Sequence, residues 1–160
     1  MRRYFIFIIV PIVFALDRWT KVIISERIPY LDGVNITSFF SIVHVRNYGG
    51  AFSLLSQHPF SKYIFTFLPL IIIFVLIYIL IKHRLPLPKA LSLVSILSGA
   101  IGNIYDRLIN GYVTDFLDFF YKNYHWPAFN VADISISFGV CLWLYMELLS
   151  LITTKKDKQV

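Results

Sequence analysis

Four long apolar stretches separated by polar intervals run through the 160 residues. The plainest is 63–81, with 19 residues and no charged side chain. At about 1.5 Å per helical residue it is long enough to cross a hydrocarbon core about 30 Å thick. Similar stretches at 4–25, 90–105 and 131–152 complete a pattern that predicts four transmembrane helices. The third is less apolar and rich in small residues (ALSLVSILSGAIGNIY), which let helix backbones approach closely, so a central place in the bundle is expected. The interval 26–59 cannot span, because it carries charges, the turn signals Asp32-Gly33 and Gly49-Gly50, and the short alternating stretches VNIT and SIVHVRN. It predicts a small antiparallel β-sheet. The interval 106–130 is aromatic-rich, and Phe116, Phe119 and Phe120 share one face of a helix lying in the headgroup region. The fold class that follows is an all-α membrane protein: four transmembrane helices with a small β-sheet and a helical loop on one side, as a single domain.

Composition strengthens this reading and removes others. A hydrophobic content of 58% and a mean hydropathy of +0.69 lie outside the range of ordinary soluble folds. The opening MRRYFIFIIVPIVFAL resembles a secretory signal peptide, but no small-x-small site follows Ala15 and the pattern continues as DRWTK. Its retention as the first span is therefore expected. The net charge of +6 does not point to nucleic acid, because the basic residues border the apolar stretches. Arg2, Arg3, Lys82, Arg84, Lys89, Lys155, Lys156 and Lys158 fall in three short segments. The positive-inside rule then puts both termini and the KHRLPLPK loop in the cytoplasm, and 26–59 and 106–130 on the extracytoplasmic side. Cys141 is the only cysteine, which excludes an intrachain disulfide, and its apolar stretch predicts a buried side chain. The four histidines show no metal-ligand spacing, so neither a metal nor a cofactor is expected.

Candidate chemistry lies between Ser98 and Asp133, where Asp106, Asp115, Asp118 and Asp133 gather at the mouths of two apolar stretches. Carboxylates in such places are costly and most often functional. Asp115 and Asp133, once side by side, form a pair that shares one proton. The ionised member takes a proton from water while the protonated one polarises a carbonyl. Asp133 has a structural alternative as a capping-box partner of Asn130 at a helix start. Asp17 and Lys21, four residues apart on one helix face, form either a structural ion pair or a support for the site. Asn47 and Gly49, in RNYGGAFS, serve either a simple hairpin turn or a loop that presents Asn47 to a substrate. A transporter with these charges along an ion path is the rival class, but it would call for acids near mid-membrane or an inverted repeat.

Five segments taken together, DRWTK at 17–21, NYGGAF at 47–52, SGAIGNIYDR at 98–107, VTDF at 113–116 and FNVAD at 129–133, resemble the lipoprotein signal peptidase (signal peptidase II) family. The resemblance covers nearly the whole chain in order. It implies an aspartyl endopeptidase of the bacterial cytoplasmic membrane that removes the signal peptide of diacylglyceryl-modified prolipoproteins, cutting before the lipid-bearing cysteine. By motif match Asp115 and Asp133 take the catalytic roles. Asp17, Lys21, Asn47, Gly49, Asn103, Asp106, Arg107, Asn130 and Ala132 match the family's other motif positions. The expected partners are those precursors and membrane lipid, with the protein acting as a monomer. Ser98 stands where the family more often has glycine, and Gly50 where it more often has alanine; both changes are small for small.

Overall fold

The computed structural model describes residues 4–49 and 60–157. A short 3-10 turn, Tyr4–Ile8, leads into helix α1, Ile9–Arg27. Strands β1 (Gly33–Asn35) and β2 (Phe40–Asn47) follow, then helices α2 (Ser61–Lys82) and α3 (Leu87–Asn110). Strands β3 (Val113–Tyr121) and β4 (Tyr124–His125) lead to helix α4, Val131–Asp157. Of the four helices, α2, α3 and α4 are long and apolar enough to cross a membrane. The second half of α1 carries Asp17, Arg18, Lys21, Glu26 and Arg27, so apolarity alone marks three spans and not the predicted four.

Helix α3 packs against each of the other helices, the central place expected from its small residues. Leu93, Leu97, Ala100 and Ile104 on α3 meet Ile73 and Leu76 of α2 in the apolar core. The α3–α4 seam is closer still. The hydroxyl of Ser92 donates to the carbonyl of Gly139 at 2.6 Å, and that of Ser135 to the carbonyl of Ser95 at 2.8 Å. A Cβ on Gly99 would stand 2.1 Å from the carbonyl oxygen of Ala132, so only glycine permits this approach. Ser98 is fully buried and turns its hydroxyl back to Val94 O at 2.7 Å. Phe67, Leu68, Ile71 and Phe74 of α2 are exposed, a face that suits lipid.

The sheet is antiparallel in the order β1-β2-β3-β4. Strand β2 pairs along β3 with Val45 opposite Asp115 and Asn47 opposite Val113, after a bulge between Ile42 and Val45. Three expectations are corrected here. The helical loop of 106–130 is absent: α3 continues to Asn110, ends at Gly111 in the left-handed region (φ 79°), and gives way to β3. The stretch VTDFLDFFY is β-branched and aromatic, and it finds the free edge of β2 to pair with, so strand propensity and pairing outweigh the helical spacing of its phenylalanines. Phe119 accordingly lies opposite Phe40 with ring centroids 4.8 Å apart. The sheet is thus built from both polar intervals, not from 26–59 alone. Cys141, expected buried, is exposed on the outward side of α4, where a small apolar thiol suits lipid as well as a core.

Candidate active site

Five segments converge at the end of the bundle that carries the sheet. Helix α1 brings Asp17, Arg18 and Lys21, and the end of β2 brings Asn47 and Gly49. The last turns of α3 bring Asn103, Asp106 and Arg107, and β3 brings Asp115. The start of α4 brings Asn130, Ala132 and Asp133. Every site residue read from the sequence is in this cluster. Asp118 is not: its carboxylate lies 2.9 Å from Nδ1 of His125 in the β3–β4 hairpin.

Asn130 joins the two candidate carboxylates. Its side-chain Nδ2 donates to Asp115 Oδ1 at 2.7 Å, and its backbone N–H donates to Asp133 Oδ2 at 3.2 Å. Its Oδ1 accepts the backbone N–H of Asp133 at 3.0 Å, which completes a reciprocal cap at the start of α4. The capping reading of Asp133 is therefore correct, and the cap leaves its carboxylate beside Asn130, which also holds Asp115. The other oxygens are held as firmly. Asp115 Oδ2 accepts from Asn47 Nδ2 at 3.0 Å, and Asp133 Oδ1 from Asn103 Nδ2 at 2.7 Å. Each carboxylate oxygen receives one N–H, while its remaining lone pair is free for a proton, a water or a substrate.

Asp115 is 3% exposed. Burial pushes its carboxyl up to about 7, and the nearby charge of Asp133 adds to the rise, against the hydrogen bonds from Asn47 and Asn130 and the charge of Lys21. A carboxyl poised near neutrality beside a second one can carry a proton at the pH where water is to be activated.

Beneath the pair lies a buried ionic cluster. The ammonium of Lys21 sits 2.7 Å from Asp17 Oδ2, 2.8 Å from Asp106 Oδ2 and 3.2 Å from Asn103 Oδ1. Asp17 spends its other oxygen on the backbone N–H of Ala132 at 2.9 Å. A side chain of α1 thus satisfies one of the free donors at the start of α4. Gly102 leaves room for this, since a Cβ there would stand 2.9 Å from Asp17 Oδ2. Arg18 pairs with the remaining oxygen of Asp106. Arg18 is a site residue that the sequence does not single out; its place beside Asp17 in an apolar stretch is the available signal. Arg107 donates to Gly49 O at 2.9 Å, which ties the loop carrying Asn47 to α3. Gly49 N in turn donates to Asn47 Oδ1 at 3.0 Å. Gly50, Ala51 and Phe52 lie outside the described residues. Among the described residues, no group of three His, Cys, Asp or Glu is placed to hold a metal ion.

Residues 9–149 match a family model described as signal peptidase (SPase) II. A lipoprotein signal peptidase of Francisella tularensis subsp. novicida (strain U112) is 43% identical over 156 residues, which covers 94% of each chain. One from Haemophilus ducreyi (strain 35000HP / ATCC 700724) is 39% identical over 133 residues, 82% of this chain and 83% of the relative. Among solved structures, a bacterial membrane enzyme determined by the in meso method at 2.3 Å resolution superposes with a TM-score of 0.81 at 32% identity, covering 99% of this chain and 94% of that one. A second, at 1.9 Å, gives 0.78 at 29% identity, with 92% of each chain covered.

Proposed function

This chain belongs to the signal peptidase II family, and we propose that Asp115 and Asp133 are the two carboxylates with which it cuts the signal peptide from membrane-borne prolipoproteins. The substrate is the diacylglyceryl-modified precursor, and the bond cut is the one just before the lipid-bearing cysteine. The observation that carries this reading is the single residue Asn130 holding one oxygen of each acid, so that neither can turn away from the other.

In the resting site one proton is shared. Both acids receive two N–H donors, but Asp133 also stands at the positive end of α4, so it takes the ionised role and Asp115 carries the proton. Ionised Asp133 removes a proton from a water that attacks the scissile carbonyl carbon, while Asp115 donates a hydrogen bond to the carbonyl oxygen. When the tetrahedral intermediate collapses, the C–N bond breaks. The proton held on the acid pair passes to the departing amine, which becomes the new N-terminus, and the freed carboxyl end belongs to the signal peptide. Asn47, Asn103 and Asn130 keep the acids in place, and Asp17, Lys21, Asp106 and Arg107 hold the elements that carry them. No cofactor or metal takes part.

The same reading makes α1 a fourth membrane span, its charged half at the interface and in the buried cluster, and sets both termini in the cytoplasm. The site then opens at the extracytoplasmic face of the cytoplasmic membrane, where the precursor's modified cysteine lies, and the protein acts as a monomer. Reporter fusions after Pro86 and at the C-terminus should report cytoplasm, and one near Asn123 the outside; an inside result at Asn123 defeats this topology. The decisive test of function is incubation of the purified protein with a lipid-modified precursor and with the same precursor unmodified. Cleavage of the modified form alone is expected. Asp115→Asn and Asp133→Asn should each nearly abolish it, with the double variant little worse than either single, because residues acting as one unit lose activity once. A single variant that retained most of its activity would remove the pair from the mechanism.

A further inference from the structure

Three asparagines aim amide nitrogens at the acids, and each is anchored at its oxygen by a donor that cannot turn round. For Asn47 the anchor is the backbone N–H of Gly49, and for Asn130 it is the backbone N–H of Asp133. For Asn103 it is a side chain, Lys21, whose Nζ lies 3.2 Å from Asn103 Oδ1. An ammonium has donors and no acceptor, so the edge of the amide that meets it has to be oxygen, and the other edge, Nδ2, has to face Asp133. Asn130 Nδ2 also reaches Asn103 Oδ1, at 3.3 Å, and favours the same orientation. Without Lys21 that longer contact alone resists a turn of the amide, and a turned amide would set its oxygen against the oxygen of Asp133.

Resting on the catalytic reading above, we infer that Lys21 is a positioning residue for the reaction. Through Asn103 it keeps an N–H donor on Asp133, and so fixes which member of the pair is ionised when water is activated. Its contacts with Asp17 and Asp106 place the ammonium; its contact with Asn103 orients the donor on Asp133, beside the direct effect of its charge on Asp115. The charged groups around this amide are Asp17, Arg18 and Lys21 from α1, Asp106 and Arg107 from α3, Asp115 from β3 and Asp133 from α4. Of these only Lys21 presents a donor to the oxygen of Asn103 among the described hydrogen bonds.

The test is a double-mutant cycle on the purified full chain, with Lys21→Met and Asn103→Leu alone and combined. Cleavage of a lipid-modified precursor is followed across pH, and the unfolding midpoint is measured for every variant. Loss of one donor makes the ionised form of the pair less favourable. The acidic limb of kcat/KM should therefore move up by about one pH unit in both single variants. Each should lose roughly tenfold or more in kcat, and the combined variant should lose well short of the product of the two single losses. Losses that multiply, or a Lys21→Met variant with a lowered midpoint and an unmoved acidic limb, would show that the lysine only holds helices together and would overturn the inference. Should Lys21→Met fail to fold because two buried acids lose their cation, Lys21→Met with Asp106→Asn takes its place under the same criterion. Asp115→Asn is run beside them. If it stays active, the catalytic reading falls and this inference with it; if it is inactive while the cycle multiplies, only the inference falls.

Discussion

Asp115 joins three physical effects in one side chain. Burial and the neighbouring Asp133 raise its carboxyl to about 7 from the ordinary value of 3.8, so between those two values the folded protein holds a proton that the unfolded chain has released. The sign follows directly. The stability contributed by this group is fully present below about pH 4 and is lost as pH rises through about 7. Under the proposed mechanism activity loses the protonated member of the pair over the upper part of the same range, so kcat/KM should fall as pH rises through about 7. Unfolding midpoints in detergent at pH 5 and pH 8 separate the two effects. The wild type should lose stability between them, and Asp115→Asn, which cannot titrate, should lose less. A variant with the same pH slope as the wild type would mean that Asp115 ionises in the folded protein as it does in water. The Asn side chain also meets amide donors on both sides, from Asn47 and Asn130. A constant cost of about 1–3 kcal/mol at both pH values is therefore expected as well.

Two glycines, one within α3 and one capping its end, show how differently helices depend on a missing side chain. Gly99 lies against α4, where a Cβ would meet backbone that cannot swing aside. Gly99→Ala should push the start of α4 off α3, separate Asn103 from Asp133, and reduce cleavage and the unfolding midpoint together. Gly111 ends the helix at φ 79° with nothing within 4 Å, so Gly111→Ala should cost only about 1–2 kcal/mol of backbone strain and leave the acids in place. Equal losses in the two would contradict the close α3–α4 seam. Helices α2, α3 and α4 were legible in the sequence because apolar length alone marks them, and Gly99 and Gly102 were legible as packing residues. Asp115 and Asp133 were found as acids at the mouths of apolar stretches, and motif likeness singled out that pair from the four. Strand β3 was not legible: its phenylalanines fit a helical face, and the edge that captures them belongs to a segment some 70 residues earlier. A separation of 88 positions hid the contact of Arg18 with Asp106, which depends on how α1 lies against α3 and on nothing local.

Across the whole molecule, charge is distributed unequally between the two ends of the bundle. At the site end Lys21 and Asp17 are buried, and breaking their pair from one side should cost about 3–5 kcal/mol. At the opposite end Lys89 meets Glu147 at 2.6 Å and stands over the ring of Trp143, but both charges are partly exposed. Glu147→Gln should cost less than about 1 kcal/mol and leave cleavage unchanged. Comparing unfolding midpoints of Lys21→Met and Glu147→Gln checks that asymmetry; a large loss in the second would place structural weight where the fold shows little. The site itself depends on a strand pairing that reaches across two of the helices, since Asn47 and Asp115 are 68 positions apart with α2 and α3 between them. During synthesis, β2 leaves the ribosome long before its partner exists, and it has to wait while both helices enter the bilayer. The amide of Asn47 meets Asp115 only once β3 has paired with β2, and the cap between Asn130 and Asp133 forms only with the first turn of α4. A nascent chain that has not yet reached α4 lacks Asp133, so under the proposed mechanism the membrane meets no cleavage activity from it until the last helix begins to form.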